Sequence, residues 1–330
     1  MRRAHDRGAR FQTALSLGMT LTLPLAACGT ASDASPPTAN SSGGTGASLT
    51  TAVPLELVSE KKFSKLISNP TLAHFEASGV VASAGKLHVA FDNTTQIASV
   101  DTSLDSATLG PGDATDSQYE AITAADDARF FAMIETASAS DTRAEVAELD
   151  ASTAFVGAAF TDTTFEHVNK GFEGLAWLRD HGSDYLLGLC ENNACKDDDT
   201  TVGEGRVKVM TLLGGTWMTQ ATLEVPSAAA FLNYSDLAVR ENGDHSYTAA
   251  IVSRKSSLLW LGTLTTSPWA LTGPSSFFAF PRTSEGEVQY CSVEGVTFLG
   301  ANVLAFVSDK SEGAPCNYKS ESVHLFQTPF

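Results

Sequence analysis

The chain has 330 residues and a net charge of −17, from 21 Lys and Arg against 38 Asp and Glu. Such an acid excess argues against nucleic acid as a partner and against an electrostatic hold on anionic lipid. It is compatible with cation binding, and equally with a surface that is simply well solvated.

The chain opens on a basic stretch, Arg2, Arg3, Arg7 and Arg10, followed by an apolar run over 11–25. This is the layout of a secretory signal, and the run is too short to span a membrane permanently. It ends Leu25-Ala26-Ala27-Cys28. That tetrapeptide resembles the bacterial lipobox, which implies removal of residues 1–27 and lipidation of Cys28. The alternative is an ordinary signal cleavage with Cys28 incidental. Gly29, where an Asp would retain a lipoprotein at the inner membrane, implies the outer membrane. Apart from Asn40 and Leu49, residues 29–52 are Ser, Thr, Ala, Gly and Pro with Asp33 as the one charge. They cannot bury enough apolar surface to fold. Residues 28–52 are therefore expected to be a disordered tether of roughly 25–30 Å. The expected organisation is signal peptide 1–27, lipidated tether 28–52 and a folded domain 53–330, a monomer held to the membrane by its lipid alone.

From 53 onward one pattern recurs five times. Ala77-Ser78-Gly79-Val80, Tyr119-Glu120-Ala121-Ile122, Phe172-Glu173-Gly174-Leu175, Tyr234-Ser235-Asp236-Leu237 and Val293-Glu294-Gly295-Val296 each place Ser or Glu before a small residue, Asp236 excepted, and then an aliphatic one. A Gly-, Asn- or Asp-containing turn signal follows in each unit, at 83–86, 125–128, 180–183, 241–244 and 299–302. Then comes a short apolar strand ending on a polar residue: Asp92, Glu135, Glu191, Ser253 or Asp309. These runs are too short for helices and apolar on both faces, as strands between two neighbouring sheets are. A third strand follows each. The intervals between Ser78, Glu120, Glu173, Ser235 and Glu294 are 42, 53, 62 and 59 residues.

Several short strands per unit at this period predict an all-β propeller. Five units predict five blades, with six as the alternative and two packed β-sandwiches as the rival architecture. The last unit shows only three strands, so residues 54–61 are expected to supply its fourth and close the ring, removing an open edge.

In a propeller the first strand of each blade lines the central channel. Glu120, Glu173 and Glu294 should then converge at one mouth, with Asp236, beside Ser235, taking the acidic role in its blade. Asp92, Glu135, Glu191 and Asp309 form a second polar ring, expected at the same face. Converging carboxylates either hold protons or share a cation. Oxygen-only donors suit calcium or magnesium, so Glu120, Glu173, Asp236 and Glu294 are the candidate ligands of a bound calcium. The plainer alternative is that these acids take backbone amides and hold blades together. Four Cys remain after Cys28, and an even number in an exported protein reads as disulfides. Cys190–Cys195 and Cys291–Cys316 are the expected pairs, because each falls within one repeat.

The Phe-Glu-Gly-Leu-Ala opening at 172–176, the Val-Glu-Gly-Val-Thr opening at 293–297 and the Ser-Asp ending at 308–309 resemble bacterial propellers of the phytase-like esterase and SdiA-regulated kind. The resemblance covers 75–330. It implies calcium-dependent phosphoesterase activity, with phosphate-binding cations drawn from Lys170, Arg179, Arg254, Lys255, Lys310 and Lys319. A more distant likeness is to gluconolactonase and strictosidine-synthase-like propellers, which implies a channel metal on a Glu of this motif.

Other chemistries are not visible. Neither a nucleophile elbow nor a His-Glu-x-x-His motif is present. The histidines are scattered, and Asp197, Asp198 and Asp199 lack the ligand spacing of an EF-hand loop. The four Trp are expected in packing. Two functions are carried forward. One is a surface-tethered binding module for a protein, glycan or small molecule at the propeller mouth. The other is a calcium-dependent ester or phosphoester hydrolase.

Overall fold

A computed structural model describes residues 52–328, except 69–71, 116, 127–128, 136–140, 168–169, 197–201 and 244. The signal segment, Cys28 and all but the last residue of the tether lie outside the described residues, as do Asp197, Asp198 and Asp199.

The domain is an all-β propeller. Its first blade is β3 (Ala77–Ser83), β4 (Lys86–Phe91), β5 (Thr94–Asp101) and β6 (Ala107–Leu109). The second is β7 (Tyr119–Asp126), β8 (Arg129–Ile134), β9 (Arg143–Asp150) and β10 (Phe155–Thr164). The third is β11 (Phe172–Asp180), β12 (Ser183–Cys190), β13 (Arg206–Leu213) and β14 (Thr216–Glu224). The fourth is β15 (Asp236–Gly243), β16 (Ser246–Ser253), β17 (Leu258–Thr266) and β18 (Trp269–Ala279), with β1 (Val53–Pro54) added parallel at its edge. The last is β19 (Val293–Phe298), β20 (Val303–Ser308), β21 (Ser322–Gln327) and β2 (Glu56–Lys62). On strand pairing alone these make four sheets, because the single parallel bridge Thr161–Trp217 joins β10 to β14.

The ring closes as expected, by β2 pairing antiparallel to β21. One detail differs. Pro54 belongs not to this closing strand but to β1, on the edge of the fourth blade, so the entering chain stitches two neighbouring blades. The single α-helix among the described residues is one turn, Phe63–Leu66.

The second strands are buried on both faces, as their unbroken apolar runs require. Ala90 packs towards Ile122 of the second blade, for instance, while its neighbours Val89 and Phe91 pack towards Val307 of the last. Five apolar clusters result, each lying between two successive blades, with one joining the first to the last. Tight hairpins turn each first strand into its second. In Ala84-Gly85 and His181-Gly182 both residues have positive φ, the two-residue turn whose twist matches that of the flanking strands. Both expected disulfides are present, Cys190–Cys195 and Cys291–Cys316.

Candidate functional site

The repeated pattern has a structural cause. In four blades the hairpin register slips at the marker residue. Ala77 pairs with Phe91 but Gly79 with Ala90, leaving Ser78 as the extra residue of a β-bulge, and Glu120, Glu173 and Glu294 sit in the same way. A bulge re-aims a side chain. These bulges bring Ser78, Glu120, Glu173 and Glu294 to the wall of one cavity of about 210 Å³.

The next position is small because the first strands converge there. A Cβ on Gly174 would lie 2.6 Å from the Leu237 nitrogen, and one on Gly79 2.8 Å from the Ala121 Cα. Real Cβ atoms do not approach backbone so closely, so Gly79, Ala121, Gly174 and Gly295 form the narrow waist of the channel.

Asp236 occupies the fifth place in that waist and is not in the cavity. Its Oδ1 accepts the Leu237 amide at 2.7 Å and its Oδ2 the Val296 amide at 2.7 Å, with the Leu175 amide as a further donor. Burial pushes its carboxyl well above the usual range, against the pull of those amides. It therefore does for its blade what the plainer sequence alternative held for all of them: it ties backbones together. The reason lies in register. Ser235, not Asp236, stands at the bulge-equivalent position, and its hydroxyl accepts the Arg254 amide at 3.2 Å.

Asp92, Glu135, Glu191 and Asp309 line the same cavity as the three glutamates, so the two rings meet at one mouth, together with Glu76, Lys170 and Arg254. Eight carboxyls thus face two cations. Ser253 is elsewhere, buried and donating to Asn233. Arg254 forms an ion pair with Glu294 and lies 3.8 Å from Glu191, which also receives Lys170 at 2.9 Å. Burial, then the neighbouring Glu135 and Asp92, raises the Glu120 carboxyl well above its ordinary value. Burial and then Glu120 do the same to Glu173. Both side chains keep some exposed area, because the cavity reaches them, but protein surrounds them on every other side. Asp309 is pushed up to about 7, chiefly by burial, with the Lys310 amide opposing and Glu294 and Glu76 adding repulsion. Burial raises Glu294 too, with Arg254 opposing. Arg254 is held firmly charged, first by Glu294.

Of the other cations suggested by the family resemblance, Arg179 pairs with Asp184 at 2.6 Å and lines a different cavity, and Lys319 pairs with Glu60. That second cavity, about 510 Å³, lies beyond the waist and is walled mainly by the later residues of the first strands, among them Trp177, Arg179 and Phe298, with Tyr247 of β16. It is larger but lacks converging carboxyls, so the smaller cavity is the better candidate for chemistry. Trp217 and Trp260 are buried in cores between blades, as expected, whereas Trp177 lines this second cavity.

Two features escaped the sequence. Glu76 precedes the marker Ser78 by two residues, and no other blade has an acid there. Asp180, His181 and His245 meet at the far ends of β11 and β15, although 64 residues separate the two imidazoles in the chain. The visible signal was that both histidines sit in the same hairpin turn of adjacent repeats. Among the described residues this is the one group of three such side chains with donor atoms all within 4.8 Å of one another. The glutamate ring has no such triple.

No family model matches the chain, and no curated protein matches it. Among solved structures it is similar to the glutaminyl cyclase of Myxococcus xanthus, with a TM-score of 0.52 and 11% identity over 84% of this chain and 97% of that one. It is similar to a xylan β-1,4-xylosidase from Bacillus halodurans C-125, with a TM-score of 0.50 and 9% identity over 78% of this chain and 53% of that one. The Dos1 propeller matches with a TM-score of 0.40 and 11% identity, over 78% and 59%. The chain spans little more than half the length of the last two. At such identities the likeness is one of fold.

Proposed function

We propose that the chain is a surface-tethered β-propeller lipoprotein, anchored through Cys28, whose acid-ringed channel mouth recognises a cation. The observation that carries this is the imbalance of eight carboxyls against two cations around a cavity of about 210 Å³. Both cations already pair with Glu191 and Glu294. A positive guest offsets the burial and the mutual repulsion that raise the Glu120 and Glu173 carboxyls. The cavity is smaller than the roughly 300 Å³ at which pockets for whole drug-sized ligands begin. It therefore suits an ammonium or guanidinium head group, or a calcium ion, rather than a sugar chain.

Thermal melts of wild type and Glu173→Gln in calcium, in magnesium and in a short diamine test this reading. Saturable stabilisation of wild type, weakened in Glu173→Gln, is expected from at least one cation, and which one responds separates metal from amine. Flat curves up to millimolar concentrations of all three overturn it.

A second reading is hydrolysis. General-acid cleavage needs a carboxyl raised above its ordinary range, and burial raises Glu120 and Glu173 in that direction. The phytase-like version gains less support, because Lys170 and Arg254 would have to release their glutamates to hold a phosphate. Aryl esters, aryl glycosides and an aryl phosphate, each assayed with calcium and with chelator, decide it. Turnover abolished by Glu120→Gln or Glu173→Gln supports hydrolysis, and no turnover on any of them removes it.

A further inference from the structure

We propose that Asp180, His181 and His245 form a binding site for a divalent transition-metal ion of the zinc, nickel or copper class. His181 Nδ1 lies 2.9 Å from one oxygen of Asp180, and His245 Nδ1 lies 2.6 Å from the other. The two rings stack with centroids 4.1 Å apart and planes 11° from parallel. The carboxylate is buried, at 8% side-chain exposure, while the imidazoles are 66% and 56% exposed. One donor atom from each of the three residues thus lies within 4.8 Å of the others, with protein behind the carboxylate and solvent in front of the imidazoles.

The donor set selects the ion. Imidazole nitrogen suits zinc, nickel and copper, whereas calcium and magnesium take oxygen. Metal–nitrogen and metal–oxygen bonds of about 2.0–2.2 Å need donors roughly 3–3.5 Å apart. From 2.9 Å and 2.6 Å, to the two different oxygens of Asp180, the separations must open by roughly 0.1–0.6 Å and 0.4–0.9 Å to reach that range, with the rings tilting towards the ion. Three protein donors leave at least one coordination position for water or an outside ligand, as in open metal sites.

The frame holds the donors in place. Asp180 is the last residue of β11 and pairs with Ser183 across the turn that carries His181. The Thr266 hydroxyl donates to the His245 carbonyl at 3.5 Å, and the Tyr247 hydroxyl donates to the Arg179 carbonyl at 3.1 Å. The donors come from two blades, so a bound ion ties the third blade to the fourth. The site stands apart from the acidic mouth, beyond the waist of the channel.

Calorimetric titration of the full chain with zinc tests this, with calcium as the control ion. His181→Asn and His245→Asn are the informative changes, since both positions have positive φ, 48° and 58°, which Asn tolerates. Wild type should bind one zinc, with a rise in melting temperature. Each single variant should bind at least tenfold more weakly, and the double variant should not bind. Glu173→Gln should bind zinc as wild type does, which keeps this outcome distinct from that of the acidic mouth. Absence of saturable zinc binding by wild type overturns the proposal, as does unchanged affinity in the double variant. Should a variant not fold, the imidazole nitrogen signals of wild type decide. Zinc must shift those of His181 and His245, and a shift confined to other histidines refutes the site.

Discussion

Glu60 and His324, 264 residues apart, meet across the strand pair that closes the ring, with a carboxylate oxygen 3.2 Å from the imidazole Nδ1. His324 is fully buried, and its Nε2 lies 3.0 Å from the Ser308 hydroxyl. Lys319 forms an ion pair with the same carboxylate, and the Tyr290 hydroxyl donates to it at 3.2 Å. The ring-closing strand β2 is therefore fastened to β21 by a largely buried polar cluster as well as by backbone pairing.

The Glu60 carboxyl is held down to about 2, first by the His324 hydrogen bond, against burial and with help from Lys319. A carboxyl depressed in the fold adds stability above its unfolded value, and that stability drains away as pH falls through the folded value. Glu60→Gln should accordingly cost about 1–2 kcal/mol at pH 7. The gap between wild type and variant should close between pH 4.5 and pH 2. Urea melts across that range check this, and a gap independent of pH would show that Glu60 acts by shape alone.

Asp309 has the opposite sign. Its carboxyl is raised to about 7 from 3.8, so between those values the native state keeps a proton that the unfolded chain has lost. Stability from this group is complete at low pH and is lost as pH rises through about 7. Asp309→Asn retains an oxygen for the Lys310 amide and removes the charge. It should stabilise the domain at pH 8 by about 1–3 kcal/mol, after allowance for partial exposure, and change little at pH 4. Destabilisation at pH 8 would mean that the charge is satisfied in the fold, as by a bound cation.

The waist of the channel sets a steric prediction. Gly174→Ala would drive a methyl group into the Leu237 backbone at 2.6 Å, and backbone within a closed ring cannot yield without opening a blade interface. A loss of about 2–4 kcal/mol is expected. Gly157→Ala, where nothing lies within 4 Å, should be nearly silent. Equal melting temperatures for the two variants would refute the account of the small-residue position.

Anchoring is tested at Cys28. Cys28→Ala should release the protein from membranes or leave it unprocessed, since the acyl chains are the one strong membrane hold proposed for it. A processed variant that still fractionates with membranes as wild type does would rule out the lipid anchor.

Much of the fold was legible because its determinants are local. The apolar runs of the second strands announce burial on two faces, and the paired positive-φ turns are written as Ala-Gly and His-Gly. The Glu-Gly openings were visible as a pattern, but their meaning was not. A bulge at Glu173 and a steric limit at Gly174 are facts about neighbouring strands, which spacing along one strand does not report. Asp236 was misplaced for that reason. Next to Ser235 it looked like a shifted ligand, whereas register makes it a substitute for the glycine. The Asp180–His181–His245 cluster is less legible still. Only the lateral contact of two blades brings the imidazoles together, and nothing near His181 in the sequence points to His245.

Asp236 also determines what kind of opening the propeller axis provides. Neither the acidic cavity nor the larger one beyond it is lined by Gly79, Ala121, Gly174, Asp236 or Gly295. With its carboxylate spanning amides from three blades, Asp236 acts as a septum. The two cavities share no lining residue, so the domain presents two separate sockets set back to back. A guest seated among the glutamates enters and leaves by the same door, and whatever docks at the opposite face, beside the paired histidines, can do so without competing with it.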